Sequence, residues 1–374
     1  MIIVFFALAA SYLLLIGSFI IGFNKVQYFA LKHVRPQHKF SIIIPFRNEV
    51  ENLPRLIKSL EDLNYPKRFF EVILVDDNST DDSQELALRF LNCTQLDFHI
   101  FNNSTTSDSP KKQAITLGIN KAQHEWIITT DADCYVPNNW LNAFNDFLQN
   151  EEKQMIVAPV MLSNSSLIFD QFQTLEILSL QGVTMAGFGI NNPIMCNGAN
   201  LCYSKHLFNS LNGFQGNNTI TSGDDIFLME KALKQNKEQV GYLKCKDAIV
   251  KTKPEESFNK MLQQRIRWAS KSTAYNSWKP KLIGMFIFVM NSSIIIGLFF
   301  TIFGLLKWWF FLVVLISKQL FDYVLLSKSA TFFDRTKALN TYFFSSLIYP
   351  FVTVYTVFKA MFSNYQWKGR TFKK

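Results

Sequence analysis

The chain is organised by where its charges are missing. Met1 to Phe23 contains no charged residue, and Leu282 to Leu306 is a second uncharged run. Trp308 to Leu326 is a third apolar run, separated from the second by Lys307 alone but carrying Lys318 and Asp322, and Ala338 to Phe362 is a fourth, carrying Lys359. A helix needs about 20 predominantly apolar residues to cross a hydrocarbon core, so these runs read as membrane segments. The polar stretch between them must then fold as a body of its own. The 374 residues are 48% hydrophobic and only 18% charged, below the roughly one quarter of soluble domains. That average conceals two environments.

The first run has no basic residues before it and is longer than the apolar core of a signal peptide, so it reads as an uncleaved anchor. Lys25, Lys32, Arg35 and Lys39 follow with no acidic residue among them, which assigns this flank to the cytosol. The second and third runs read as a tight hairpin. Lys318 and Asp322 in the third are four apart on one helical face. They form either an ion pair tucked into a bundle or the polar lining of a ligand path. The fourth run carries Pro350. A full crossing would put Lys368, Arg370, Lys373 and Lys374 outside, against the positive-inside tendency; a re-entrant segment broken at Pro350 would keep them in the cytosol.

The net charge of +9 lies largely beside the apolar runs, and no nucleic-acid motif accompanies it; nucleic acid is not an expected partner. The five cysteines are odd in number and lack CxxC spacing. They read as buried free thiols in a reducing compartment rather than as disulfides or a zinc site.

Within the polar middle, Phe40 to Pro45 and Glu71 to Val75 are continuous apolar runs rich in β-branched residues, which predicts buried strands. Asn48 to Leu60 has helical spacing between them. A helix is expected through Phe90, a short strand at Phe98 to Phe101, a helix at Lys111 to Ala122 and a strand at Trp126 to Thr130. Alternation of this kind indicates a mostly parallel sheet covered on both faces, in which ligands bind beyond the carboxyl ends of the strands. Polar clusters fall at those ends: Arg47-Asn48-Glu49, Asp76-Asp77, and Asp131 with Asp133. No GxGxxG follows the first strand.

Asp131 and Asp133, two apart at a strand end, suit a hard divalent cation shared with phosphate oxygens, Mg²⁺ or Mn²⁺. Short acidic triplets are also common on solvated turns. Asp76 and Asp77 either cap the next helix through an Asx turn or accept hydrogen bonds from a base or ribose, and the two roles are compatible. Lys111 and Lys112 open a helix and are either solvated or turned toward a phosphate. Ser222-Gly223-Asp224-Asp225 opens another; one carboxylate serves as a cap, and the second is a candidate general base. Phe258 to Trp268 separates its apolar and basic residues into two faces, as an interfacial helix does. Arg267 within it has the geometry to grip a diphosphate.

Taken together, these residues resemble the family 2 glycosyltransferases with the GT-A fold, over Phe40 to about Trp268. IIIPFRNE (Ile42 to Glu49, with Pro45) resembles the family's opening strand, and VDDNSTDDS (Val75 to Ser83) its nucleotide-binding turn. The segment from Lys111 to Ile115 resembles its lysine-bearing helix, and TDAD (Thr130 to Asp133) its metal motif. Asn197 to Phe214 resembles the acceptor-side segment, Gly223-Asp224-Asp225 the base motif, and Gln264 to Trp268 the QxxRW of membrane-integrated members. Each is weak alone; their order and spacing are specific.

The resemblance implies an inverting, metal-dependent transfer from a UDP-sugar to a membrane lipid or lipid-linked acceptor. It implies a nucleotide-sugar site of Pro45, Arg47, Glu49, Asp76, Asp77, Lys111, Asp131, Gln264, Arg267 and Trp268. Asp133 would hold the metal with Asp131, Asp225 would be the base and Asp224 its neighbour. The implied organisation is an anchor at 1–24, a cytosolic GT-A (Rossmann-like) domain at 38–252 and an interfacial helix at 253–280. Three hydrophobic runs at 281–363 and a basic tail at 364–374 complete it, in a multi-pass protein of the cell's inner membrane. The alternative is a processive polysaccharide synthase of the hyaluronan, cellulose or poly-N-acetylglucosamine type. Such synthases usually carry Thr-Glu-Asp or Glu-Asp where this chain has Gly223-Asp224-Asp225, and have more membrane helices. The tail, Trp367 to Arg370, is similar to one in members that glycosylate lipids and, more faintly, to a C-terminal motif of hyaluronan-type synthases. Neither the donor sugar nor the oligomeric state is legible.

Overall fold

Strands form where the polar middle is continuously apolar. In the computed structural model of the chain, β1 (Phe40–Phe46), β2 (Phe70–Asp76), β3 (Phe98–Asn102) and β4 (Trp126–Thr129) are extended. The shorter strands are β5 (Cys134–Tyr135), β6 (Met155–Val157), β7 (Val160–Leu162), β8 (Leu201–Ser204), β9 (Val240–Tyr242) and β10 (Val250–Thr252). The structure describes residues 2–103, 109–216, 223–272, 277–362, 365–367 and 370–372. They fall into two compact units that interleave along the chain. One comprises Gln27–Ser163 and Cys196–Lys253; the other comprises Met1–Val26, Asn164–Met195 and Pro254–Lys374.

The first unit is built on a seven-stranded sheet of order β3-β2-β1-β4-β8-β6-β9, with a three-stranded sheet β5-β10-β7 beside it. β1, β2, β3 and β4 run parallel, as the sequence predicts, while β8 is antiparallel to both β4 and β6. Ile42, Ile43, Ile44, Val72, Ile73 and Leu74 are fully buried, each contributing about 1.5–3 kcal/mol of transfer free energy. Register carries the strand ends to one edge: Phe46 lies opposite Asp76, and Asp76 opposite Asn102. The helix expected from Asn48 begins at Leu53 instead. Asn48 adopts a left-handed conformation (φ 51°), which Asn tolerates better than most residues, and its side chain is bound to the loop after β2.

The second unit is helical. Among the described residues, four helices are long and apolar enough to cross a membrane: Ile2–Lys25, Trp278–Ile302, Trp308–Phe332 and the segment Thr336–Phe362. The last includes a helix, Tyr342–Phe362, that runs on through a buried Pro350 rather than breaking there. Lys318 and Asp322 pair at 2.8 Å, and the Tyr12 hydroxyl donates to the other carboxylate oxygen at 2.7 Å. Ile168–Gly189, which the sequence does not mark as a membrane segment, packs in this unit against Ile2–Lys25 and Trp308–Phe332. The helix Phe258–Ser272 lies against Tyr342–Phe362, and the tail pairs Tyr365–Trp367 with Arg370–Phe372 as a hairpin beside it. Lys368, Lys373 and Lys374 fall outside the described residues.

The contact between Ile2–Lys25 and Ile168–Gly189 depends on missing side chains. A Cβ added at Gly189 would run into the backbone of Gly22. Gly189→Ala is therefore expected to destabilise the helical unit by about 1–3 kcal/mol, read as a lowered melting temperature of the detergent-solubilised chain.

Candidate active site

The parallel strands deliver three loops to one edge of the sheet, and hydrogen bonds stitch those loops together. The Arg47 guanidinium donates from Nη1 to the carbonyls of Asp77 (2.6 Å) and Asn78 (2.5 Å). Asn48 Oδ1 accepts from the Thr80 amide at 2.8 Å, and the Glu49 amide donates to Ser83 Oγ at 2.7 Å. Asp76 is buried and accepts from the Ser79 amide and hydroxyl at 3.0 and 2.5 Å. The bond spans three residues rather than the two of the expected Asx turn, and the next helix opens only at Ser83, so Asp76 does not cap it. Pro45 is the penultimate residue of β1, opposite Val75.

The loop after β3 joins in through Asn103, which no sequence motif singles out. Its Nδ2 donates to Asp77 Oδ1 at 3.1 Å and to the Pro110 carbonyl at 3.3 Å. Pro110 opens the next helix, Pro110–Lys121, where proline suits the first turn. Lys111 follows and reaches the end of β4.

There the carboxylates meet. Lys111 Nζ lies 2.7 Å from Asp131 Oδ1 and 3.6 Å from Asp224 Oδ2. Burial opposes the Lys111 charge, but the fields of Asp131, Asp224 and Asp225 outweigh it and hold the ammonium pKa above its ordinary value. Asp224 is buried, while Asp225 is half-buried and accepts from the amides of Gly198 (3.0 Å) and Ile226 (2.8 Å). Asp133 is exposed, and the neighbouring Cys134 thiol lies 3.5 Å from its Oδ1. Lys112 is buried, its ammonium 4.9 Å from the centroid of the Phe227 ring.

Two glycines set the geometry around Asp224 and Asp225. Gly223 has φ 85°, and Ser222 before it lies outside the described residues. A side chain at Gly198 would bring a Cβ to 3.0 Å from Asp224 Oδ2. The Gly198 turn is anchored by the buried Asn200, whose Nδ2 donates to the carbonyls of Pro159 and Ala248 at 2.8 and 2.7 Å.

Gln264, Arg267 and Trp268 belong to the helical unit. Gln264 donates to Glu255 at 2.6 Å. Arg265, next in the chain, is another residue that sequence reasoning missed. It is buried against Glu176 at 3.0 Å, donates to the side-chain Oε1 of Gln264, and lies 4.6 Å from the centroid of the Trp268 ring. Glu176 lies 89 residues away, beyond the reach of any local pattern.

Among the described residues no three His, Cys, Asp or Glu side chains converge on one point. A divalent cation at Asp131 and Asp133 would therefore take its remaining ligands from phosphate oxygens and water, a donor set that suits Mg²⁺ or Mn²⁺. All five cysteines are free; Cys134, Cys202 and Cys245 are buried as expected, while Cys93 is exposed and Cys196 half-buried.

The fold and the family follow from comparison. The mannosyltransferase PcManGT from Pyrobaculum calidifontis, solved with GDP-Man and Mn²⁺, superposes with a TM-score of 0.58 at 16% identity, over 96% of this chain and 98% of that one. The architecture is thus that of the GT-A enzymes, a mostly parallel mixed sheet with flanking helices. A family model described as glycosyl transferase family 2 matches residues 41–209, and one described as glycosyl transferase family group 2 matches residues 126–361. The chain belongs to the family 2 glycosyltransferases. The poly-β-1,6-N-acetyl-D-glucosamine synthase of Staphylococcus epidermidis is 23% identical over 98% of this chain and 86% of its own length. The undecaprenyl-phosphate 4-deoxy-4-formamido-L-arabinose transferase of Yersinia pestis is 38% identical over 27% of this chain. The chain spans 20–31% of the length of several curated relatives it matches.

Removing the shared ammonium should expose the repulsion it offsets. Lys111→Met is expected to cost about 1–3 kcal/mol of stability, and Lys111→Arg to recover part of it. Thermal melts of the two variants against the unaltered chain measure this.

Proposed function

We propose that the chain is an inverting, metal-dependent glycosyltransferase. It moves a sugar from a UDP-sugar to a membrane lipid or lipid-linked acceptor on the cytosolic face of the cell's inner membrane. The observation that carries this is the cluster of Asp131, Lys111, Asp224 and Asp225 at the carboxyl edge of the parallel sheet. The basic flank after the first apolar helix supports the cytosolic face.

Asp76 and Asp77, ordered by Ser79 and Asn103, bind the base and ribose; Pro45, Arg47 and Glu49 shape that turn. Lys111 is the cation for the diphosphate. Asp131 and Asp133 hold Mg²⁺ or Mn²⁺, which when bound offsets the negative charge on the departing diphosphate. Asp225 is the general base. An ammonium lies 3.6 Å from Asp224, whereas the backbone amides of Gly198 and Ile226 orient Asp225. Asp225 takes the proton from the acceptor hydroxyl as that oxygen attacks the anomeric carbon from the face opposite the leaving diphosphate, which inverts the centre. Gln264, Arg267 and Trp268 bind the diphosphate and acceptor.

A second reading, a processive polysaccharide synthase, is favoured by the near full-length likeness to the poly-β-1,6-N-acetyl-D-glucosamine synthase. Product size separates the two. Membranes supplied with labelled UDP-sugar are expected to yield a single-sugar lipid; a long polymer would establish the second reading. Labelled GDP-mannose in place of a UDP-sugar is expected to give no product.

Asp225→Asn is expected to lower kcat by about 10²- to 10⁴-fold with little change in KM, as loss of a general base does. Asp133→Ala and chelation by EDTA should each abolish transfer, with excess Mn²⁺ restoring only the chelated enzyme. Release of UDP measures all three.

A further inference from the structure

The helical unit contains a pocket that the reaction as described does not use. Five helices wall it, Ile2–Lys25, Ile168–Gly189, Trp278–Ile302, Trp308–Phe332 and Tyr342–Phe362, around a cavity of about 90 Å³. The wall is mostly apolar, yet Tyr12, Glu176, Lys318, Asp322, Tyr342 and Tyr349 set polar groups on it. Polar groups among membrane helices are expensive unless paired or used. The pairing is extensive: Asp322 takes Lys318 at 2.8 Å and the Tyr12 hydroxyl at 2.7 Å, and Tyr342 donates to the Gln319 carbonyl at 2.6 Å. An ion pair alone requires neither a cavity nor hydroxyl-bearing rings around it.

The charges on the wall choose between occupants. Among the described residues it carries one cation, Lys318, and two carboxylates, Glu176 and Asp322. Lys318 is committed to Asp322 and is buried. Arg265 partners Glu176 but does not line the cavity. A lipid phosphate entering here would meet carboxylates with no ammonium to spare. An uncharged hydroxyl can donate to those carboxylates and accept from a tyrosine. The volume is below the roughly 150 Å³ of an engineered cavity that holds benzene, so it suits a small head rather than whole acyl chains. Through Glu176 and Arg265 the wall is bonded to the helix that carries Gln264, Arg267 and Trp268.

We propose that this pocket seats the uncharged, hydroxyl-bearing head of a membrane lipid, and that the acceptor is a neutral lipid rather than a lipid phosphate. The proposal rests on the lipid-acceptor reading above and specifies its substrate class.

The full-length chain in phosphatidylcholine nanodiscs, loaded with dioleoylglycerol or with undecaprenyl phosphate, tests it. Native mass spectrometry reads retained lipid, and labelled UDP-sugar reads product. Dioleoylglycerol should be retained and glycosylated. The double variant Lys318→Met/Asp322→Leu removes the charges as a pair, which is tolerated better than breaking one. It should lose retention by about tenfold or more, the worth of one charge-assisted hydrogen bond, with UDP affinity in the same sample reporting an intact fold. Asp322→Asn, which releases Lys318 from its counterion, should shift preference toward undecaprenyl phosphate. Retention of undecaprenyl phosphate by the unaltered chain, or equal retention by the double variant, overturns the proposal. A product on lipid phosphate alone sinks it while sparing the lipid-acceptor reading; a polymer with no glycosylated lipid sinks that reading itself.

Discussion

Carboxylates repel, and this fold gathers several at one sheet edge. Asp131 and Asp224 come from segments more than ninety residues apart in sequence, and both lean on one ammonium, that of Lys111. At contact distance near a protein surface each such attraction is worth a few kcal/mol before desolvation is subtracted. Without it, the strand end and the helix that opens at Asp224 would each carry negative charge toward the other. The rest of the site follows from this bond. Lys111 is placed by Pro110, Pro110 is tied to Asn103, and Asn103 is tied to Asp77. One chain of hydrogen bonds therefore runs from the turn after β2 to the end of β4.

The helical unit solves a similar problem by different means. Among the described residues it holds two ion pairs in its interior, Lys318 with Asp322 and Arg265 with Glu176. Three of the four members have a further polar or aromatic neighbour: Tyr12 for Asp322 and Lys318, Gln264 and Trp268 for Arg265. Buried pairs add little net stability, but Arg265 with Glu176 crosses between helices, as does the Tyr12 bond to Asp322, and a slip would leave the Glu176 and Arg265 charges unmatched in an apolar setting. Small residues reinforce the alignment where Gly22 and Gly189 meet.

Much of this was legible beforehand, for identifiable reasons. Parallel strands buried on both faces are continuous apolar runs, and β1, β2, β3 and β4 lie within a residue or two of where the pattern predicts them. The acidic turns were legible because strand ends in such a sheet share an edge. What stayed hidden depends on distant partners. Asn103, Gly198 and Asn200 act through hydrogen bonds to residues far along the chain. The first turn after β1 defeats its helical spacing because Asn48 bonds to Thr80. Ile168–Gly189 carries Gln173, Glu176 and Gln181 among apolar residues, so neither a membrane pattern nor a clean amphipathic stripe emerges. Its polar residues are buried, and Gln173 and Glu176 are satisfied by Glu255 and Arg265. Pro350 left a full crossing and a broken, re-entrant run both open, and the helix continues through it.

The interleaving of the two units bears on how the chain is made. The sheet is interrupted after Ser163 and resumes at Cys196. The ribosome therefore delivers β1 to β7, then a helix that belongs elsewhere, and only afterwards β8 and β9, which complete the sheet. That helix, Ile168–Gly189, meets Ile2–Lys25, made long before it, and Trp308–Phe332, made long after. Neither unit is a contiguous stretch of the gene. Trimming the chain to residues 27–253 would keep every strand of the sheet but strip Ile168–Gly189 of both neighbours, baring a surface that only bilayer or detergent would cover.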